Sequence, residues 1–237
     1  MNAKHGPLSF LLKFAAFSVA IAMISVRLGS TVTKTASSDG VDETETAIVI
    51  DAGHGGIDGG AVADDGTLEK DLNLALAKSV ERVLLSLGAK VVMTRTEDVM
   101  YAEPSSTHKK LDDLTHRIGT VDGAGECVFV SIHMNKFPVR KYSGLQVYYS
   151  KNNDESKPLA DALQSAAASF IQPGNTRQTK AAGDEIYLLS KLTCPAVLVE
   201  CGFLSNPEEL ELLKTEEYRN KLATVIAITV MEYINQT

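Results

Sequence analysis

The chain has 237 residues, 44% of them apolar and 22% charged, with a net charge of −7 and no tryptophan. That length suits one α/β domain with an appendage, and the apolar content excludes wholesale disorder or a fibrous repeat. Residues 1–38 hold Lys4, Lys13, Arg27 and Lys34 and no acid, so the other 199 carry a net −11, a balance that excludes tracking of nucleic-acid phosphates.

Residues 1–27 read as a signal peptide or a membrane anchor. Behind Lys4 and Lys13 comes the uncharged run Phe14–Val26, 13 residues long; counted from Leu8, with Lys13 snorkelling, the stretch is 19. It is long enough for a signal core and marginal for a membrane span. Ala20-Ile-Ala22 lies inside the run and is a poor cleavage signal, so cleaved peptide and retained anchor both stay open. Either one exports the chain to the outer surface of a membrane or the cell wall. Residues 28–46 are small, polar and without apolar periodicity, which predicts a linker. The folded domain is expected over 47–237.

Ala47–Ala52 (AIVIDA) predicts a buried strand that runs into the glycine-dense Gly53–Gly60. Leu72, Leu76, Val80, Val83, Leu84 and Leu87 recur at helical spacing, and Gly88 ends that helix. Lys90–Thr94 is the next strand, followed by a loop with Pro104 and a helix near 108–122. Cys127–His133 (CVFVSIH) and Leu145–Tyr149 are strands, and 156–171 is an Ala-rich helix. Ile186–Leu189 reads as a short strand and Ala196–Glu200 (AVLVE) as a buried one. A long helix closes the chain, its face marked by Tyr218, Leu222, Val225, Ile226, Thr229 and Tyr233. Apolar strands alternating with helices predict a single α/β domain, a mainly parallel twisted sheet of about six strands with helices on both faces.

Cys127, Cys194 and Cys201 fall in apolar, strand-like segments. An odd number so placed reads as small buried residues rather than a disulfide framework. Cys127 lies six residues before His133 and Cys194 six before Glu200. Adjacent, level strands would make these two thiols neighbours.

Sheets of this kind present ligands at the carboxyl ends of their strands. Here AIVIDA runs into His54, CVFVSI into His133 and AVLV into Glu200, while Glu69 opens the first helix on the same edge. Two imidazoles and a carboxylate match a catalytic zinc site with an open fourth position. A second carboxylate kept off the metal can move a proton. Glu69 is the better ligand, since a helix N-terminus favours its ionised form. Glu200, at a strand end facing the cleft, is the better base. Competing motifs are missing: Gly53–Gly60 fits neither the dinucleotide fingerprint nor the phosphate loop, and there is no G-x-S-x-G elbow. Cys201 follows Glu200 directly, and strand neighbours face opposite ways, which argues against a thiol nucleophile.

The blocks IVIDAGHGGIDGGA, LEKD, SIHMN and LVECGFLSN resemble those of the zinc-dependent N-acetylmuramoyl-L-alanine amidases of the amidase-3 class, from Ile48 to the C-terminus. The resemblance implies cleavage of the amide between the lactyl group of N-acetylmuramic acid and L-alanine of the peptidoglycan stem peptide. It implies one Zn2+ per chain held by His54, Glu69 and His133, with Glu200 as the catalytic glutamate. Chain size, the N-terminal apolar segment and TLEKDLNL further resemble the germination-specific, spore-cortex subgroup, whose members act before a deacetylase makes muramic-δ-lactam. Met134 stands where the family motif has Ala, and is expected to narrow the pocket beside the metal. The short connection Lys136–Ser143 leaves no room for the long regulatory helix of some division amidases, which points to control by expression, compartment or an accessory protein. Two rivals remain: a non-catalytic wall-binding or regulatory protein, and a zinc peptidase acting on the stem peptide.

Secondary candidates follow. Asp51 is read either as orienting His54 or as capping the turn. Arg117 and Arg177 are read either as meeting the stem peptide's carboxylates or as solvated surface arginines. Asn135 and Asn206 are read as lining the cleft or shaping its loops. Without Trp, recognition is expected to favour the lactyl-peptide junction over a long glycan stack.

Overall fold

Runs of branched apolar residues leave the chain little choice but to bury both faces of its strands. In the computed structural model, which describes residues 46–236, they form β1 (Ala47–Ala52), β2 (Val91–Met93), β3 (Cys127–Asn135), β4 (Gln146–Tyr149), β5 (Lys180–Ala181) and β6 (Ala196–Phe203). The expected signal or anchor segment, and the linker up to residue 45, lie outside the described residues. Within them, no helix is long and apolar enough to cross a membrane.

The strands make one sheet in the order β2-β1-β3-β6-β4-β5. Alternate residues feed two cores. Ile48, Ile50, Val130, Ile132, Val197 and Val199 face one side, where α1 (Glu69–Ser86), α3 (Ser156–Phe170), α5 (Pro207–Lys214) and α6 (Glu216–Ile234) pack. Val49, Phe129 and Leu198 face the other, covered by α2 (Lys109–Ala124) and α4 (Tyr187–Lys191). The expected sandwich of helices on both faces is present.

The sheet is mixed. β2, β1, β3 and β6 run parallel to one another, and β5 runs parallel to β4, but β4 pairs antiparallel to β6. Chain length explains the reversal. A parallel return needs a crossover of about a dozen residues or more, whereas only residues 136–145 separate β3 from β4. The chain therefore leaves and re-enters the sheet at the same edge.

Two further differences are local. The expected strand Ile186–Leu189 is instead the helix α4, in which Leu188 and Leu189 are both buried. An apolar run this short has no readable period, so tertiary packing decides its form. Helix α5 has no counterpart among the expected elements, although its start is well marked: the Asn206 side chain accepts hydrogen bonds from the N–H groups of Glu208 and Glu209, with Pro207 in the first turn.

The register that sets Phe129 against Ala196 brings Cys127 beside Cys194. No disulfide joins them, and all three cysteines are free. Cys201 lies in the core opposite the Glu200 face. Leu76 has no exposed surface and is part of the core under α1. We expect Leu76→Ala to lose about 2–5 kcal/mol of stability through the cavity it leaves, read from urea unfolding midpoints.

Candidate active site

β1 delivers its last apolar residue, Ala52, and then turns sharply. Gly53 is needed there, because a Cβ at this position would lie 2.1 Å from His133 Nε2. His54 follows with φ of 62°, and no other non-glycine among the described residues has positive φ. Such a conformation costs of order 1–3 kcal/mol and persists only where the surroundings impose it.

Two buried arginines impose it. Arg95 donates through Nε to the Ala52 carbonyl at 2.8 Å and through Nη2 to that of Gly53 at 3.0 Å. Arg117 donates through Nη1 to Ala52 at 2.8 Å and through Nη2 to the His54 carbonyl at 2.7 Å. Three successive carbonyls are thus held from below. Arg117 is anchored by Asp51, 2.6 Å away, and by Asp113, 2.8 Å away. Asp51 also accepts from the hydroxyls of Thr94 and Ser131. Burial disfavours its charge, but Arg117 and the two hydroxyls bring its pKa down to about 2.

The loop lays the His54 ring against Glu69. Nε2 of His54 is 3.2 Å from Glu69 Oε2, and Nδ1 is 3.0 Å from Asp58 Oδ2. Gly60 keeps this space open, since a Cβ there would stand 2.6 Å from Glu69 Oε2. Glu69 itself starts α1, and its carboxylate accepts the N–H groups of Ala61 at 2.8 Å and Met134 at 3.2 Å. From β3, His133 brings Nδ1 to 2.9 Å from Glu69 Oε1. The two imidazole rings meet edge to face, centroids 4.9 Å apart. One ligand atom from each of His54, Glu69 and His133 lies within 4.8 Å of the others. Burial would raise the pKa of Glu69, yet the two imidazoles hold it well below the carboxylate range. That donor set, two imidazole nitrogens and an ionised carboxylate, fits Zn2+.

Glu200 stands beside this group, paired with His133 across the β3–β6 ladder. Its Oε2 is out of solvent and has no hydrogen-bond partner among the described residues. Burial, helped by the charge of Glu69 and opposed by the two histidines, lifts its pKa to about 7. A buried, unpartnered carboxylate oxygen is costly, and here the residue lies close enough to His133, Glu69 and His54 to feel their charges.

The remaining candidates take different places. Arg117 is committed beneath the loop to the chain's own carboxylates, out of reach of any substrate. Asp51 reaches His54 only through Arg117 and the backbone, and Asp58 takes the ring contact expected of it. Met134 points into the core on the far side of the sheet and does not narrow the metal pocket. Asn135 is half-buried at the end of β3. Asn206 caps α5. Arg177 is half-buried on the β4 flank, donating to the Gln146 side chain. The sequence reading missed Asp58, Arg95 and Asp113. Asp58 was detectable, being four residues from His54 inside the glycine loop. Arg95 follows the end of β2, on the edge where the other strand ends were read.

The sequence profile of the N-acetylmuramoyl-L-alanine amidase family matches residues 48–231. The germination-specific N-acetylmuramoyl-L-alanine amidase of Bacillus subtilis is 35% identical over 192 residues, 80% of either chain. The fold is similar to that of the CwlD amidase of Clostridioides difficile, solved in complex with the GerS lipoprotein, with a TM-score of 0.78 and 37% identity over 81% of this chain and all of that one. It is also similar to the AmiC2 amidase of Nostoc punctiforme, TM-score 0.69 and 32% identity over 80% of this chain and 97% of that one.

The buried Asp51–Arg117 pair predicts a pH signature. A carboxyl at about 2 in the fold and about 3.9 unfolded contributes stability above pH 4 that is lost as pH falls towards 2. Urea unfolding from pH 7 to pH 2 should show this decline in the wild type and a shallower one in Asp51→Asn.

Proposed function

The chain belongs to the N-acetylmuramoyl-L-alanine amidase family and is a peptidoglycan amidase, and on that premise we propose that it is a zinc enzyme of the spore cortex. The observation that carries the zinc reading is the convergence of His54, Glu69 and His133 beside a carboxylate, Glu200, whose Oε2 finds no hydrogen-bond partner among the described residues. His54, Glu69 and His133 would hold the ion. When bound, Zn2+ supplies Lewis acidity at a carbonyl and acidifies water.

The protein groups divide the remaining work. Glu200 takes a proton from the attacking water at Oε2, and its raised pKa suits it to return that proton to the departing L-alanine nitrogen. Glu69 stays ionised throughout. Asp58 accepts the Nδ1 proton of His54 and so leaves Nε2 free to ligate. Asp58 is itself held by the Gly60 N–H at 3.1 Å and faces Lys110 at 3.5 Å. Asn135 and Asn206 shape the cleft rim.

Likeness to a germination-specific amidase at 35% identity supports the cortex role, and likeness to wall amidases supports work outside the cytoplasmic membrane, with residues 1–27 as address or anchor. The Clostridioides relative was solved with a lipoprotein, which supports an accessory protein here too.

Three outcomes are expected. Muropeptides digested by the protein should show intact stem peptides with a free L-alanine amine by mass spectrometry; fragments cut inside the peptide would overturn the bond assignment in favour of a peptidase. Glu200→Gln should keep the fold and bind zinc, yet lose at least about 100-fold in turnover. Asp58→Asn should bind zinc about 10–100-fold more weakly in chelator competition, with the melting temperature of the metal-free protein little changed.

A further inference from the structure

One turn after Glu69, α1 places an amide where its apolar stripe calls for a hydrocarbon. Asn73 has no exposed surface, and Leu76, Ala77 and Val80 continue the same buried face. Its Nδ2 donates to the Gly53 carbonyl at 3.1 Å and to Glu69 Oε1 at 3.3 Å. Its Oδ1 is out of solvent and has no hydrogen-bond partner among the described residues. Turning the amide over would not help, since Oδ1 would then face two acceptors and both would lose a donor. An orphaned buried oxygen costs about 1–3 kcal/mol, and an apolar side chain of similar shape avoids that cost. Asparagine is therefore a poor choice for the fold alone, and the reason for it lies in what Nδ2 holds.

Gly53 is the point where β1, β3 and α1 are tied together. Its N–H donates to the Ile132 carbonyl of β3 at 3.1 Å, and its own carbonyl accepts from Arg95 and from Asn73. Asn73 connects this point to Glu69. The last torsion of a glutamate is broad, so the plane of its carboxylate is set by the groups that donate to it. Oε2 accepts the Ala61 N–H, while Oε1 accepts the Met134 N–H and the Asn73 amide. These donors come from the glycine loop, from β3 and from α1, and all three are neutral. A lysine or arginine at position 73 would grip the carboxylate as firmly but cancel the charge that a cation site needs. An amide orients the oxygen and leaves its charge available.

We propose that Asn73 is a positioning residue, which fixes the plane of the Glu69 carboxylate and locks it to the turn that presents His54. Two of the three ligands then meet a cation in one preset arrangement. The inference rests on the zinc reading and extends it from the ligands to the group that aims them.

The test uses the full chain and two variants. Asn73→Leu is close in size and has neither the donor nor the orphaned oxygen; Asn73→Ala has neither and leaves a cavity. In chelator competition both should bind zinc about 10–100-fold more weakly than the wild type, and by similar factors. The metal-free melting temperature should stay level or rise in Asn73→Leu and fall in Asn73→Ala. With zinc saturating, kcat on a muramoyl peptide should drop in both while KM changes little, because Asn73 has no surface with which to touch substrate. Wild-type zinc affinity in both variants would overturn the inference and leave the zinc reading standing. A loss of affinity that follows the metal-free melting temperature, or failure of both variants to fold, would make Asn73 purely structural and overturn it as well. A wild type that binds no zinc would remove the zinc reading and the inference together.

Discussion

Beneath the turn after β1, two guanidinium groups receive the carbonyls of Ala52, Gly53 and His54, and the geometry of the site follows from that grip. The turn must bend into a left-handed conformation at His54 to bring an imidazole back over the sheet edge. The bend points three carbonyls inward, where each would cost about 1–3 kcal/mol if left unsatisfied. Arg95 and Arg117 satisfy them, and Asp51 and Asp113 neutralise Arg117 in turn. Desolvating such groups is expensive, and the network is tolerable only because its donors are matched by acceptors. With the backbone held, Gly53 can lie against the His133 ring and His54 can meet Glu69.

The two carboxylates of the cleft differ because their surroundings differ. Glu69 receives backbone N–H groups and two imidazoles, a setting that stabilises its charge. Glu200 receives none, and burial favours its neutral form. Opposite environments separate a permanent anion from a group that exchanges protons near neutrality. The division of labour proposed for the two carboxylates follows from which strand end or helix start each residue occupies.

Much of this was legible in the sequence because it depends on local rules. Strand runs are continuous in apolar residues, parallel strands end at one edge, and a polar residue ending such a run is conspicuous; His54, His133 and Glu200 were found that way. What stayed hidden depends on contacts between distant segments. Arg117 reads as an exposed helical arginine until α2 is seen to lie across the β1 turn. Met134 looks like a neighbour of the metal until the pleat turns it into the opposite core. The reversal of β4 and the helical form of Tyr187–Lys191 rest on connection length and packing, which periodicity does not encode.

The antiparallel course of β4 has a consequence for how the cleft can vary. The wall that carries His54, Glu69 and His133 is built from strand ends and a helix start locked by buried ion pairs. The opposite wall is built from the beginning of β4 and the connection that feeds it, residues 136–145, where the Ser143 carbonyl meets the half-buried Arg177 and the ion pair Arg140–Asp64 is exposed. One jaw is cast and the other is adjustable. Lengthening or resculpting that connection reshapes what the enzyme admits while the groups that carry the chemistry keep their positions, so substrate choice and catalysis can evolve as separate traits on the same sheet.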